Sequence, residues 1–165
     1  MVLLLLTGCA GFHFTVSQEG STLVEGSGLL GELLGSLDFG GLDDFDVSVE
    51  QKLADQGVEP GDLTGLNLTA IEMRTPDGTL DFIDTLQVKV GAKGISPFLV
   101  AFGSDFSGST GSLTLEEVDL VESIVAGGVY FQVDATGEPP AEDTTIKLRV
   151  DAEGWASAQG AASQL

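Results

Sequence analysis

The chain has 165 residues, enough for one hydrophobic core and one domain. Six Lys and Arg stand against 26 Asp and Glu, a formal net charge of -20, which disfavours nucleic-acid phosphates and anionic head groups as direct partners and leaves cations, basic proteins and neutral ligands. A hydrophobic fraction of 42% with nine Phe excludes wholesale disorder, and a single cysteine excludes both an internal disulfide and a multi-thiolate metal site.

The first segment, MVLLLLTGCAG, joins a short apolar run to small residues and to that cysteine, Cys9. From the residues alone, Val2 to Leu6 suits either the apolar region of a secretion signal or a buried strand with Cys9 as a small core residue. The run is too short to span a bilayer. Leu6-Thr7-Gly8-Cys9 resembles the lipobox of bacterial lipoproteins. The resemblance implies a diacylglyceryl group on the Cys9 sulfur, cleavage between Gly8 and Cys9, and acylation of the new amino terminus. Residues 1–8 are then a signal-peptide remnant, truncated at its start, since neither Met1 nor Val2 supplies the Lys or Arg that precedes the apolar run in that family. Two or more acyl chains on one residue give stable anchoring where a single chain is marginal. In double-membrane bacteria an Asp after the cysteine tends to retain such proteins at the inner membrane; Ala10 here implies the outer membrane, with the domain facing periplasm or cell surface.

Phe12 to Val16 alternates apolar and polar residues, the period of a half-buried strand, and begins three residues after Cys9. A domain anchored so closely brings its acidic surface near anionic head groups, which calls for bridging divalent cations or an orientation that turns the acidic face away. Between Gly26 and Gly40, Leu29, Leu30, Leu33, Leu34 and Leu37 recur at helical spacing and predict a short helix packed on the core, weakened by interspersed glycines. Phe45, Val47 and Val49 predict a strand, and Glu50 to Gln56 a helical turn closed by Gly57. Leu66 to Arg74 reads as a strand whose apolar register shifts from Leu66 and Leu68 to Ile71 and Met73, the signature of a bulge. Thr75-Pro76-Asp77-Gly78 has the chemistry of a turn.

Five more strands are expected at 85–90, 97–102, 112–115, 129–134 and 144–151, the last with Lys147 and Arg149 facing outward. Glycine, at 23 residues, is about twice its roughly 7% average share, which favours strands joined by tight turns. The expected fold is therefore mostly β: an antiparallel β-sandwich of about seven to eight strands with one or two short helices. It occupies residues 9–155 as a single domain, followed by a disordered tail, 156–165. The order of the segments DFDVSVEQKLADQGV, LTAIEMRTPDGTLDFIDTLQVKV and EDTTIKLRVDAEG is similar to that of uncharacterised lipoproteins of myxobacteria and related bacteria, a family with no activity to lend.

Candidate chemistry is sparse. His13, the single histidine, sits at an outward position between Phe12 and Phe14 and reads as an exposed strand residue rather than a catalytic base. Two carboxylate groups, Asp43, Asp44 and Asp46, and Asp77, Asp81 and Asp84, offer hard oxygen donors of the kind Ca²⁺ takes, though neither follows an EF-hand. Asn67-Leu68-Thr69 is a formal glycosylation sequon that falls inside a predicted strand. The expectation is a non-enzymatic envelope lipoprotein, held by acylated Cys9, that binds a protein or glycan ligand or serves a structural role. The alternatives are a carboxylate-dependent envelope hydrolase and an unanchored secreted acidic binding protein.

Overall fold

The computed structural model describes residues 12–26, 36–37, 49–55 and 58–157. Its first strand, β1 (Phe12–Val24), shows how patterning becomes architecture. Phe14, Val16, Thr22 and Val24 are buried while His13, Thr15, Ser17, Glu19, Ser21 and Leu23 face solvent, because successive side chains of a strand point to opposite faces. The last strand, β9 (Thr144–Ala156), repeats the pattern: Ile146, Leu148 and Val150 are buried, and Lys147 and Arg149 project outward.

Nine strands form two antiparallel sheets among the described residues. One has the order β1-β9-β3-β6, with β3 at Leu63–Arg74 and β6 at Thr110–Ser112. The other has the order β2-β8-β4-β5-β7, made by Ser36–Leu37, Tyr130–Gly137, Ile83–Ala92, Ile95–Ser104 and Thr114–Leu115. Their inner faces share one core: Phe14, Leu66, Ile71 and Leu148 from the first meet Leu86, Val88, Val100 and Phe131 from the second. The architecture is the expected β-sandwich. Each fully buried Leu or Ile in it stabilises the fold by roughly 1.5–3 kcal/mol relative to exposure.

The register shift read in β3 is a bulge between Leu68 and Ala70. The extra residue returns Ile71 and Met73, each 1% exposed, to the same inner face as Leu66. A second irregularity lies between Leu63 and Gly65.

Several glycines serve a purpose other than turns. Gly154 faces Phe14 across the β1/β9 pair, and a Cβ there would stand 2.4 Å from the ring. Gly91 is covered in the same way by Tyr130, and Phe106 sits against both Gly103 and Gly111. Part of the glycine excess thus lies inside strands, where the absent side chain gives an aromatic ring its seat.

Among the described residues two α-helices flank the sheets: α1 (Val49–Asp55), where a helical turn was expected, and α2 (Val121–Ala126). The second was not foreseen, since six residues are too few to display a helical period. It is fixed from outside: Asp119 Oδ1 accepts from the N–H groups of both Leu66 and Val121, and Leu120 N–H donates to the Leu66 carbonyl. The strand β9 continues through the buried Ala156, and Ser157 N–H donates to the Asp62 carbonyl at 2.8 Å. The helix expected between Gly26 and Gly40 lies outside the described residues apart from Ser36–Leu37, which pair with β8 as strand. The strand expected from Phe45 lies outside them up to Val49, where α1 begins.

Candidate functional site: the outer face of the four-stranded sheet

The buried polar side chains among the described residues are Thr22, Thr75, Ser123 and Thr144. Thr75 and Thr144 satisfy their hydroxyls on the carbonyls of Asp77 and Glu142. Among the described residues charged chemistry is therefore confined to the surface, and one close arrangement of it lies on the outer face of the β1-β9-β3-β6 sheet.

Strand register builds it. Glu19, Arg149, Glu72 and Ser112 stand side by side across the four strands, and Ser21, Lys147, Arg74 and Thr110 form the next row. Half of the chain's six Lys and Arg are thereby brought together. Arg74 reaches across β9 so that its Nη2 lies 2.7 Å from Glu19 Oε2, and Lys147 Nζ approaches the other oxygen at 3.8 Å. Arg149 turns along its own strand, its Nε donating to both oxygens of Asp151 at 3.1 and 3.0 Å. Between these groups is an open depression of about 310 Å³, lined also by Thr110, Gly111 and Ser112.

The depression presents guanidinium and hydroxyl donors beside the carboxylates of Glu19 and Glu72. Such a surface hydrogen-bonds a polar ligand that carries both acceptor oxygens and donor groups. Opposed charges leave the face near neutrality, three cations against Glu19, Glu72, Asp151 and Glu153, so it does not act as a general anion trap.

The other end of the same face carries different chemistry. His13 Nε2 lies 3.4 Å from Glu153 Oε2, and its ring tilts against Trp155 with centroids 5.3 Å apart. The indole lies over Gly65, where a Cβ would stand 3.2 Å from the ring. Six residues of β1 separate His13 from Glu19, roughly 20 Å along a strand, so the histidine and the cationic depression are separate features. On the opposite sheet, Lys89 Nζ lies 2.6 Å from Asp134 Oδ2 and Gln132 donates to the same carboxylate. The Lys89 hydrogen bond, then that of Gln132, holds the Asp134 carboxyl below its ordinary value.

Of the residues singled out from the sequence, Cys9, Asp43, Asp44 and Asp46 lie outside the described residues. Asp77, Asp81 and Asp84 are described and do not converge; Asp81 Oδ1 instead accepts from Gly108 N–H at 3.0 Å. Among the described residues no three of His, Cys, Asp and Glu come together as metal ligands. His13 occupies the exposed position read for it. The meeting of Arg74 with Arg149 and Glu19 was missed. Its only sequence signal was the outward phase of Lys147 and Arg149, which says nothing about which strands lie beside them.

Comparison of the chain with protein-family models, with curated proteins and with solved structures finds no match.

Proposed function

We propose that this protein is a lipid-anchored, non-catalytic binding protein of the bacterial cell envelope, tethered through acylated Cys9 at the outer membrane. The observation that carries the proposal is positional: the Leu6-Thr7-Gly8-Cys9 motif, with the chain's one cysteine, stands directly ahead of the strand that opens the domain. Cleavage before Cys9 would leave an acylated residue three positions from Phe12. Support for binding rather than catalysis comes from the carboxylates. Every Asp and Glu whose burial is described is exposed or partly exposed, whereas a carboxylic general acid is tuned by burial. The depression between Arg74, Arg149 and Glu19 is the surface with the means to hold a polar ligand, such as a glycan or a charged peptide segment.

The test is metabolic labelling with radioactive palmitate in a bacterial host. The wild-type chain should incorporate label and partition with membranes, and Cys9→Ser should do neither. A wild-type chain that takes up no label would refute the anchor and leave a soluble acidic binding protein.

A further inference from the structure

We propose that the end of the sandwich at which β1 begins is a docking surface for a lipid bilayer, with Trp155 and Tyr130 seated at the membrane interface. This rests on the anchor at Cys9 and adds a defined orientation to it. The two aromatics belong to different sheets but to one end of the molecule. Trp155 pairs with His13 at the start of β1, and Tyr130 opens β8 beside Gly91. The ends coincide because α2 ties them: Leu120 N–H donates to Leu66 O at the start of β3, and Lys93 N–H donates to Gly127 O beside Tyr130. Val125, on α2, completes the set. Of five exposed large hydrophobic residues among those described, Trp155, Tyr130 and Val125 share this end, with exposures of 36%, 40% and 56%. Trp and Tyr place an apolar ring and a polar tip where lipid meets water.

Charge is arranged to match. The opposite end gathers exposed Glu25, Asp77, Asp81, Asp84, Asp105, Glu138, Glu142 and Asp143, with no Lys or Arg in the intervening loops. Hydrogen bonds hold that end together: Gly26 to Asp143, Asp105 to Asp84 and Glu138 to Phe82. The docking end carries Glu59, Asp62, Asp119, Glu122 and Glu153 beside Lys93 and His13, so aromatic insertion rather than charge provides the contact. Three residues from Cys9 to Phe12 reach at most about 10 Å. A diacylated Cys9 therefore brings this end to the head groups and points the acidic end away from them.

Trp155 is the only tryptophan in the chain, so the wild-type protein reports on itself. Full-length lipidated protein is reconstituted in phosphatidylcholine vesicles with or without brominated acyl chains. Trp155 emission should shift to shorter wavelength on the vesicles and lose most of its intensity to the brominated lipid. In the Trp155→Phe/Leu23→Trp chain, whose one indole sits at the far end of β1, emission should be unaffected. Vesicle-bound protein with unquenched Trp155, or equal quenching at both positions, overturns the docking surface while the anchor stands. Protein that carries no diacylglyceryl group by mass and stays off the vesicles overturns both.

Discussion

Replacing Gly154 by alanine tests whether the glycines inside strands are seats for aromatic rings. The position lies in β9, a central strand of its sheet, opposite Phe14 of β1. The new Cβ would fall 2.4 Å from Phe14 Cζ and 2.9 Å from both Cε atoms, against an optimal carbon–carbon separation of about 3.5–4.0 Å. Phe14 is 4% exposed and belongs to the shared core, so its ring must retreat by roughly 1 Å into packed neighbours. Overpacking of that kind costs about 1–3 kcal/mol. Removing a strand glycine returns about 0.5–1 kcal/mol of backbone entropy. The net expectation is a loss of about 1–2 kcal/mol, a fall in Tm of roughly 2–8 °C for a chain of this length. Urea unfolding should show a lower midpoint for Gly154→Ala. Gly61→Ala, where a Cβ would meet nothing within 4 Å, should change stability by less than about 0.5 kcal/mol. In the Phe14→Leu background the added methyl group should fill space instead of colliding. A coupling of at least about 0.5 kcal/mol is then expected. A Gly154→Ala protein as stable as wild type, or strictly additive double-mutant energies, would refute the reasoning.

Two further outcomes follow from the surface ion pairs. Asp134 is held below its ordinary carboxyl value first by Lys89 and then by Gln132. A depressed folded-state value contributes stability that is present above the unfolded value, near 4, and is lost as pH falls through the folded value. Lys89→Ala should therefore raise the Asp134 midpoint in an NMR titration and shrink that acid-limb loss. The effect on stability should stay below about 1 kcal/mol, because the Asp134 side chain is 46% exposed. For Arg74 and Glu19, a double-mutant cycle to alanine should give about 0.2–1 kcal/mol at low salt and nearly nothing at 1 M, since both partners are solvent-facing. A coupling insensitive to salt would show that the pair is shielded from water.

The β-sandwich was legible because two-residue alternation survives in single segments such as Phe12–Val16 and Ile146–Val150, where it states which side chains face the core. The bulge in β3 was legible for the same reason: a change of phase between Leu68 and Ile71 has no other simple cause in a strand. Helix α2 was not, because Asp119 and Leu66, the residues that fix it, are 53 positions apart. The role of the strand glycines was hidden likewise. Gly154 reads as a weak point in a strand until Phe14, 140 positions earlier, is placed across from it. The candidate surface failed to show itself on the same ground, since Glu19, Arg74 and Arg149 become neighbours through strand order, and strand order is not written in any local pattern.

The charge of the whole chain is a poor guide to what one end of the molecule touches. A strand of 13 residues such as β1 spans about 40 Å, while at physiological ionic strength electrostatic influence between exposed groups decays over about 8 Å. The eight carboxylates around Asp81 and Glu142 therefore exert little field on Trp155 and Tyr130, and the local groups decide what binds there. The reverse holds for the depression at Arg74, which lies toward the acidic end and within reach of its field. A ligand entering that depression would meet paired guanidinium and carboxylate groups inside an anionic surround, an arrangement that disfavours free anions. Screening of this kind separates the two ends, so the groups around Trp155 and those around Arg74 act independently of each other.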